Sequence, residues 1–445
     1  MKRELIFKKD LWLKLTNVLL HGGLERMAFL LTSNIDTSSV DRRIVFEVIN
    51  LDENDYYKRG KYSVTPKPEF VEHIINKCKK ENFDLISVHS HPFDDAGYFS
   101  GIDIDTEEKN IFPDLSVSIP ELSLGSIVVG RNPELLSAVF YDKTKKENVP
   151  VNLLKIIDEH SMKVIIPLNS VAVKDINANM KLRNIEIFGE QSQKALSAMT
   201  FGIAGAGSSG SIAAEFISRL FPKKIIICDS DSVELTNLNR LLGASKSDAI
   251  NKVKKVSLMK KHIDSNQLGV EVTAIDKTIQ DKESVNALAE ADVIIGTLDN
   301  LSSRLWLNRF AYDYYLPYFD LGTGVIVKDG KIEQAGMQIV KVIPGTSGCF
   351  NCNGLINHYQ AGLEMISGIE RVFMKIKGYI NGEEVSAPMV MPLNGIVVTS
   401  AVWKIMKYLN GGLQGNYFNF DAITDKWTEE TLLNQQPDMR CIICA

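Results

Sequence analysis

The stretch that most restricts what this chain can become is 201–240, FGIAGAGSSGSIAAEFISRLFPKKIIICDSDSVELTNLNR. Gly205, Gly207 and Gly210 form a G-x-G-x-x-G immediately after the apolar run 201–204. That order predicts a strand, a tight turn and a helix over 208–220, whose free N-terminal N–H groups and dipole favour phosphate. The next apolar run, 224–228, predicts a second strand ending at Asp229, nineteen residues past Gly210. A carboxylate at that place suits a ribose hydroxyl. The pattern is α/β and Rossmann-like, and by itself it suits NAD as well as ATP.

The residues that follow separate the two. Asp229-Ser230-Asp231 leads into Asn237-Leu238-Asn239-Arg240, then Lys252, then Thr297-Leu298-Asp299-Asn300 at the end of the apolar run 291–297. Hydride transfer needs no such gathering of amides, cations and carboxylates. Activation of a carboxylate by ATP does, because Mg²⁺ takes oxygen ligands and cations offset phosphate charge in the transition state. With 445 residues, 45% hydrophobic and 24% charged, the chain has room for two or three domains of ordinary composition. A net charge of −5 argues against nucleic acid as a partner. No apolar run reaches the roughly 18 residues a membrane span needs. Met1-Lys2-Arg3-Glu4 is followed by no long apolar segment, so no signal peptide is expected and the cytoplasm is the expected compartment.

Residues 1–165 read as one mixed α/β unit, with an amphipathic helix over 5–20, strands over 27–32 and 43–49, a helix over 69–81 and a strand over 84–89. At the end of that last strand stand His89-Ser90-His91-Pro92 and, further on, Ser100-Gly101-Ile102-Asp103. Two histidines at alternate positions of an extended segment project to one face. Asp103 can complete a three-ligand zinc site that leaves a fourth position for water, and Ser100 can donate to a developing oxyanion. These residues resemble the JAMM (MPN+) metalloprotease family, whose motif is H-x-H, a short spacer and S-x-x-D; eight residues separate His91 from Ser100 here. The resemblance implies an upstream glutamate as general base, and Glu25 fits that place. It also implies cleavage of peptide or isopeptide bonds beside the C-terminal Gly-Gly of ubiquitin-like proteins. The competing reading is a pair of half-buried structural histidines.

The stretch 145–180 is polar and weakly patterned, with a solvated charge run at 143–147, and the boundary is placed as a linker at 166–180. From 181 to 445, Arg183-Asn184, a helix over 191–199 and the glycine turn resemble the MoeB/ThiF family, prokaryotic relatives of ubiquitin-activating enzymes. The resemblance implies that Gly205, Gly207 and Gly210 back ATP and that Asp229 holds the ribose; Asp231 beside it is read as a further nucleotide-site residue, with a turn residue as the alternative. Asn237, Arg240 and Lys252 (Lys254 as the alternative) surround the phosphates, and Asp299 binds Mg²⁺. Arg183 corresponds to an arginine that family homodimers insert into the neighbouring subunit's site. Cys349-Phe350-Asn351-Cys352 and Cys441-Ile442-Ile443-Cys444 are two C-x-x-C pairs, read as a closed structural Cys₄ zinc site that clips the C-terminus to the body. Both fall where the family keeps its zinc; a redox dithiol is the alternative. Further on, paired strands are expected at 322–326 and 332–342, a helix at 302–315, and another at 395–409 with Trp403 and Met406 in the core. The crossover loop 382–388, which carries a thioester cysteine in ubiquitin-activating enzymes, has none here. The chain is therefore expected to stop at an acyl-adenylate and pass it to an outside nucleophile.

The combined expectation is a zinc (iso)peptidase and an ATP-dependent adenylyltransferase on one chain, acting on a ubiquitin-like or sulfur-carrier protein ending in Gly-Gly. Such fusions resemble those of bacterial operons for ubiquitin-like conjugation, which adds a conjugating enzyme or sulfur donor as a partner. Two other classes remain: an NAD-dependent oxidoreductase, and a non-catalytic module that binds ubiquitin-like proteins.

Overall fold

The computed structural model describes residues 1–170, 178–355, 389–429, 437–438 and 440–444. The chain divides into two compact units, Met1–Asp158 with Met162–Asp175, and Glu159–Ser161 with Ile176–Ala445. No helix among the described residues is long and apolar enough to cross a membrane.

The first unit is built on β1 (Lys2–Lys8), β2 (Met27–Asp36), β3 (Val40–Asn50), β4 (Tyr56–Arg59), β5 (Val64–Pro66), β6 (Asp84–His91), β7 (Leu124–Gly130), β8 (Leu136–Asp142), β9 (Glu147–Pro150), β10 (Leu153–Ile157) and β11 (Met162–Ile165). Nine of them form a mixed sheet in the order β11-β10-β1-β3-β2-β6-β7-β8-β9, while β4 and β5 make a separate hairpin. Both faces of the sheet are covered, because alternate residues go to opposite sides. Ala28 and Leu30 of β2 cluster with Trp12, Leu15 and Leu19 of the helix Lys9–Leu19. Phe29 and Leu31 cluster instead with Ile74 and Cys78 of the helix Pro68–Glu81. On β6, Ile86 and Val88 join the first cluster and Leu85 the second, which puts Ser87, His89 and His91 on the Leu85 face.

The helix expected over 5–20 begins only at Lys9. Leu5, Ile6 and Phe7 lie in β1, paired in parallel with β3 on one edge and β10 on the other. A short continuous apolar run reads equally as a buried strand or a buried helix, and here two strand partners decide it. Strands β9 to β11 likewise occupy ground that reads as polar and weakly patterned. Lys155 interrupts the apolar run of β10 yet is only 2% exposed. Its ammonium meets Glu4 at 2.9 Å, and Glu4 also takes Lys2 at 2.6 Å and Arg42 at 2.7 Å.

The second unit is built on β12 (Thr200–Ala204), β13 (Lys224–Cys228), β14 (Glu271–Ile275), β15 (Val293–Gly296), β16 (Tyr318–Lys328), β17 (Lys331–Val342), β18 (Tyr417–Asp421) and β19 (Lys426–Glu429). They make one sheet in the order β14-β13-β12-β15-β16-β17-β18-β19. From β14 to β16 the neighbours are parallel, and from β16 to β19 they are antiparallel. The strand order reverses direction at β12, so the carboxyl ends of β12 and β15 flank a topological switch point, where open α/β sheets bind ligands. Trp403, expected in the core, is 54% exposed. On the helix Met391–Leu409 the buried stripe runs through Val398, Ala401, Val402 and Ile405. One residue past Val402 turns about 100° away from that stripe, leaving Trp403 beside Phe188 at a ring separation of 6.1 Å. Met406 is buried.

Glu4 meets Lys2, Arg42 and Lys155, so removing it takes one carboxylate contact from each of three largely buried cations. Glu4→Ala is expected to cost the first unit about 3–5 kcal/mol, read from denaturant unfolding; a loss below about 1 kcal/mol would show that the network carries little weight.

Candidate functional site

The glycine turn closes around backbone. Gly205 has φ +98°, a region that disfavours side chains. A Cβ at Gly210 would stand 2.0 Å from the carbonyl oxygen of Gly205 and 2.8 Å from Thr297 Oγ1. The turn therefore lies against the end of β15, with the helix Ser208–Ser218 starting on it. Asp229, at the end of β13, accepts the Ala206 N–H at 2.6 Å and the Asp231 N–H at 2.7 Å.

These parts wall one cleft of about 630 Å³. Gly205, Gly207, Asp229, Asp231, Asn237, Arg240 and Asp299 all line it. Asn237 caps its own turn by accepting the Glu234 N–H at 3.1 Å. Arg240 donates to the Thr236 carbonyl at 2.7 Å and to Asn239 Oδ1 at 2.9 Å. Asp299 is exposed at the cleft edge, next to Asn300, whose Oδ1 caps the helix Leu301–Asp313 by accepting the Ser303 N–H at 2.8 Å.

Lys252 and Lys254 are not on the cleft wall; Lys255 is. Lys252 points its ammonium toward Glu234 at 3.9 Å with its side chain 66% exposed, and Lys254 reaches Asp276 at 3.0 Å. Lys255 opens the helix Lys255–Ser265, only 13% exposed, and pairs with Asp231 at 2.7 Å. The one signal in the sequence was the start of that helix at Lys255; which of the three nearby lysines faces the cleft is set by the fold. Asn394 was also missed. It is 1% exposed within an otherwise apolar helical stripe. Its Nδ2 donates to Ser208 Oγ at 2.7 Å, and its Oδ1 accepts from Ser209 at 3.1 Å and Thr323 at 3.2 Å. That ties the first turn of the phosphate-type helix to β16. Arg304, on the same wall, is held by the carboxylate of Asp320, which is 0% exposed and also accepts the Tyr318 hydroxyl at 2.5 Å. Arg183 is far more open, 87% exposed and paired with Glu186 at 2.7 Å, and does not line the cleft.

The first unit gathers a second set of groups. His89 Nε2 lies 3.3 Å from Asp103 Oδ1, and His91 Nε2 lies 3.8 Å from Asp103 Oδ2 and 3.9 Å from Glu25 Oε1. The donor atoms of His89, His91 and Asp103 all fall within 4.8 Å of one another. A tetrahedral zinc with bonds of ~2.0–2.1 Å spaces its donors about 3.4 Å apart, so the set fits that ion. His89 Nε2 is moreover buried with no hydrogen bond of its own. Glu25, 5% exposed, is fixed by its N–H to the Gly60 carbonyl at 2.9 Å, and burial pushes its carboxyl up to about 7. Asp103 is down at about 2, because the close ion-pair contact with His89, at 3.3 Å, outweighs its burial. Ser100 and Asp103 cap one another: Oγ accepts the Asp103 N–H at 3.2 Å, and the Ser100 N–H donates to Asp103 Oδ2 at 2.7 Å. Ser100 thus orients the carboxylate. Behind His89 lies Glu107, another residue absent from the sequence reading, accepting the Ser87 hydroxyl at 2.8 Å.

Cys349, Cys352, Cys441 and Cys444 converge, with sulfur separations of 3.6 Å (349–441), 3.7 Å (349–352) and 3.2 Å (352–444). A tetrahedral Zn²⁺ with ~2.3 Å bonds to sulfur sets its thiolates about 3.8 Å apart, so this group is compatible with zinc. Cys78 and Cys228 are buried, and burial raises both thiols to about 12. The crossover loop 382–388 lies outside the described residues.

A model of the ThiF family matches residues 180–442. The chain belongs to the ThiF family. Among curated ThiF-type relatives, ubiquitin-like modifier-activating enzyme 5 of Gallus gallus is 26% identical over 276 residues, 60% of this chain and 64% of that one. The Dictyostelium discoideum protein of the same name is 24% identical over 306 residues, 66% of this chain and 70% of that one. The chain thus spans less than two thirds of the Gallus gallus relative. Among solved structures, E. coli MccB with ATP is 20% identical with a TM-score of 0.46, covering 61% of this chain and 76% of that one.

The cleft separates the lysines by experiment as well as by position. Lys255→Ala is expected to weaken ATP binding roughly 10-fold or more, the size of a lost charge-assisted contact, and Lys252→Ala by less than about 2-fold. Isothermal titration with ATP and Mg²⁺ reads both, and equal losses or the reverse order would contradict the assignment.

Proposed function

We propose that this chain acts twice on the tail of a ubiquitin-like or sulfur-carrier protein, hydrolysing beside its Gly-Gly in the domain 1–165 and adenylating the freed carboxylate in the domain 181–445. Membership of the ThiF family and the names of its curated relatives support the second half. The observation that carries it is a single cleft walled by the glycine turn, Asp229, Arg240, Lys255 and Asp299. ATP would lie with its ribose at Asp229 and its phosphates over the N-terminus of the helix Ser208–Ser218. Asp299 would hold Mg²⁺, which when bound neutralises phosphate charge. A carboxylate oxygen of the tail bonds to the α-phosphorus, the bond from that phosphorus to the bridging oxygen breaks, and pyrophosphate leaves with the electron pair. Arg240 and Lys255 offset the charge growing on it. A neighbouring groove of about 860 Å³ shares Arg304, Gly322 and Thr323 with the cleft and offers an extended tail a way in.

The hydrolytic half rests on the grouping of His89, His91 and Asp103 with Glu25 beside them. These three would hold a zinc ion, which when bound polarises a carbonyl and acidifies a water ligand. Glu25 takes a proton from the attacking water and returns it to the leaving nitrogen, as the water oxygen bonds to the carbonyl carbon and the C–N bond breaks. Ser100 donates to the oxygen that gains charge. The four cysteines would hold a structural zinc, in keeping with a reducing, cytoplasmic setting. With Cys78 and Cys228 buried and held as thiols, the adenylate goes to an outside nucleophile such as a conjugating enzyme or sulfur donor. Arg183 would serve a homodimer.

Exchange of labelled pyrophosphate into ATP, dependent on a carrier protein ending in Gly-Gly, tests the second half. Asp299→Ala is expected to lower it by about 100-fold or more, and Glu25→Gln to leave it unchanged. Nicotinamide cofactor binding with no exchange would sink the adenylation reading in favour of an oxidoreductase.

A further inference from the structure

The base of the helix Met391–Leu409 reaches Arg240 by two separate chains of hydrogen bonds. The first starts at Asn394, a buried amide in the opening turn of that helix, where an unbonded polar group would be unfavourable. Its bonding capacity is filled. Nδ2 donates to Ser208 Oγ at 2.7 Å and to the Val390 carbonyl at 3.2 Å, and Oδ1 accepts from Ser209 at 3.1 Å and from Thr323 at 3.2 Å. Ser208 has a single hydroxyl proton and gives it to the Arg240 carbonyl at 2.9 Å, which leaves it an acceptor toward Asn394. The second chain starts at the Met389 carbonyl, just before the helix. Asn239 Nδ2 donates to it at 3.1 Å, and Asn239 Oδ1 accepts Arg240 Nη1 at 2.9 Å. One chain thus ends on the backbone of Arg240 and the other on its guanidinium.

The chemistry of that guanidinium follows from which nitrogen is held. Nη1 donates to Asn239 Oδ1 and, at 2.7 Å, to the Thr236 carbonyl, so both of its hydrogens are used. Nε and Nη2 make no hydrogen bond among the described residues. Their N–H groups lie side by side on one edge of the plane, the edge that grips a phosphate with two parallel bonds. Resting on the adenylation reading, we propose that Asn394 and Asn239 are positioning residues for Arg240, and that they present its Nε–Nη2 edge to the phosphates of ATP. Neither touches the nucleotide in this role; each acts through the arginine. An arginine on the loop after β13 without these ties would have to order its long side chain as ATP binds, and the lost rotamer freedom would weaken the contact. Held at Nη1 from one side and through its own carbonyl from the other, the side chain is ordered before ATP arrives.

The test uses the full-length protein and two probes, ATP with Mg²⁺ by isothermal titration and adenosine by ligand-observed NMR. Arg240→Ala is expected to weaken ATP about tenfold or more and to leave adenosine, which has no phosphate, within about twofold. Asn239→Ala and Asn394→Leu should each weaken ATP about threefold to tenfold, again with adenosine within about twofold. The decisive readout is the combination of each with Arg240→Ala. Both double variants should bind ATP within about twofold of Arg240→Ala alone, because a residue that acts through the guanidinium has nothing left to act on. A merely structural role would weaken ATP and adenosine alike and would add to the loss in Arg240→Ala. Asn239 is exposed, so Asn239→Ala carries the test even if Asn394→Leu does not fold, and Ser208→Ala then cuts the first chain at its middle. Additive losses, or ATP affinity unaltered in the single variants, would overturn the positioning while ATP binding by the unsubstituted protein upholds the adenylation reading. Absence of ATP binding by the unsubstituted protein would overturn that reading, and the positioning with it.

Discussion

Two backbone N–H groups from opposite sides of the nucleotide-type turn end on one carboxylate. Asp229 takes Ala206 at 2.6 Å and Asp231 at 2.7 Å, and so fixes the glycine turn against the loop that follows β13. The turn can lie there only because Gly205 and Gly210 have no side chains. At Gly210 a Cβ would overlap the Gly205 carbonyl, which is how closely helix and strand approach. Neighbouring groups on the cleft wall are fixed around that contact. Asp231, placed by its own N–H, receives Lys255. Ser208, at the helix start, is held by Asn394, and Thr297 at the end of β15 donates to the Gly205 carbonyl at 3.0 Å. The cleft is a rigid frame of backbone and short polar side chains, suited to stabilising charge without reorganisation.

The two units solve the problem of placing charge differently. The cleft of the second unit draws on strand ends at a switch point, so its polar groups sit at an open edge. The cluster of the first unit is buried. His89 and His91 are 5% and 7% exposed, and Glu25 and Asp103 are pushed in opposite directions, to about 7 and about 2, in one small space. Carboxyls separated in this way can take different roles, one carrying a proton and the other remaining an anion.

Where the sequence was legible, a residue's role followed from local pattern. The glycine spacing, the strand ending at Asp229 and the alternation that puts His89 and His91 on one face are properties of short stretches; Gly205, Gly207 and Asp229 line the cleft, Gly210 packs behind Gly205, and the two histidines join the cluster. What was not legible depended on partners distant in sequence. Leu5, Ile6 and Phe7 are strand because β3 and β10 flank them. Lys155 is buried because Glu4 meets it, and Asn394 matters because it reaches Ser208 across 186 positions. Lys255 is an intermediate case: its helix start was local, but choosing it over Lys252 required knowing which ammonium faces the cleft. Trp403 was misplaced by one step around a helix whose buried stripe only the packed fold defines.

The central claim is that both sites serve one tail in sequence, and transfer of label to that tail tests it most directly. A ubiquitin-like carrier extended past its Gly-Gly would be incubated with the chain, Mg²⁺ and ATP labelled at the α-phosphate, quenched in acid, and the carrier counted. The account predicts adenylate label on the extended carrier with the unsubstituted protein, none with Glu25→Gln, and equal label with both proteins when the carrier already ends in Gly-Gly. Label on the extended carrier with Glu25→Gln, or none on it with the unsubstituted protein while the mature carrier is labelled, would contradict trimming followed by adenylation.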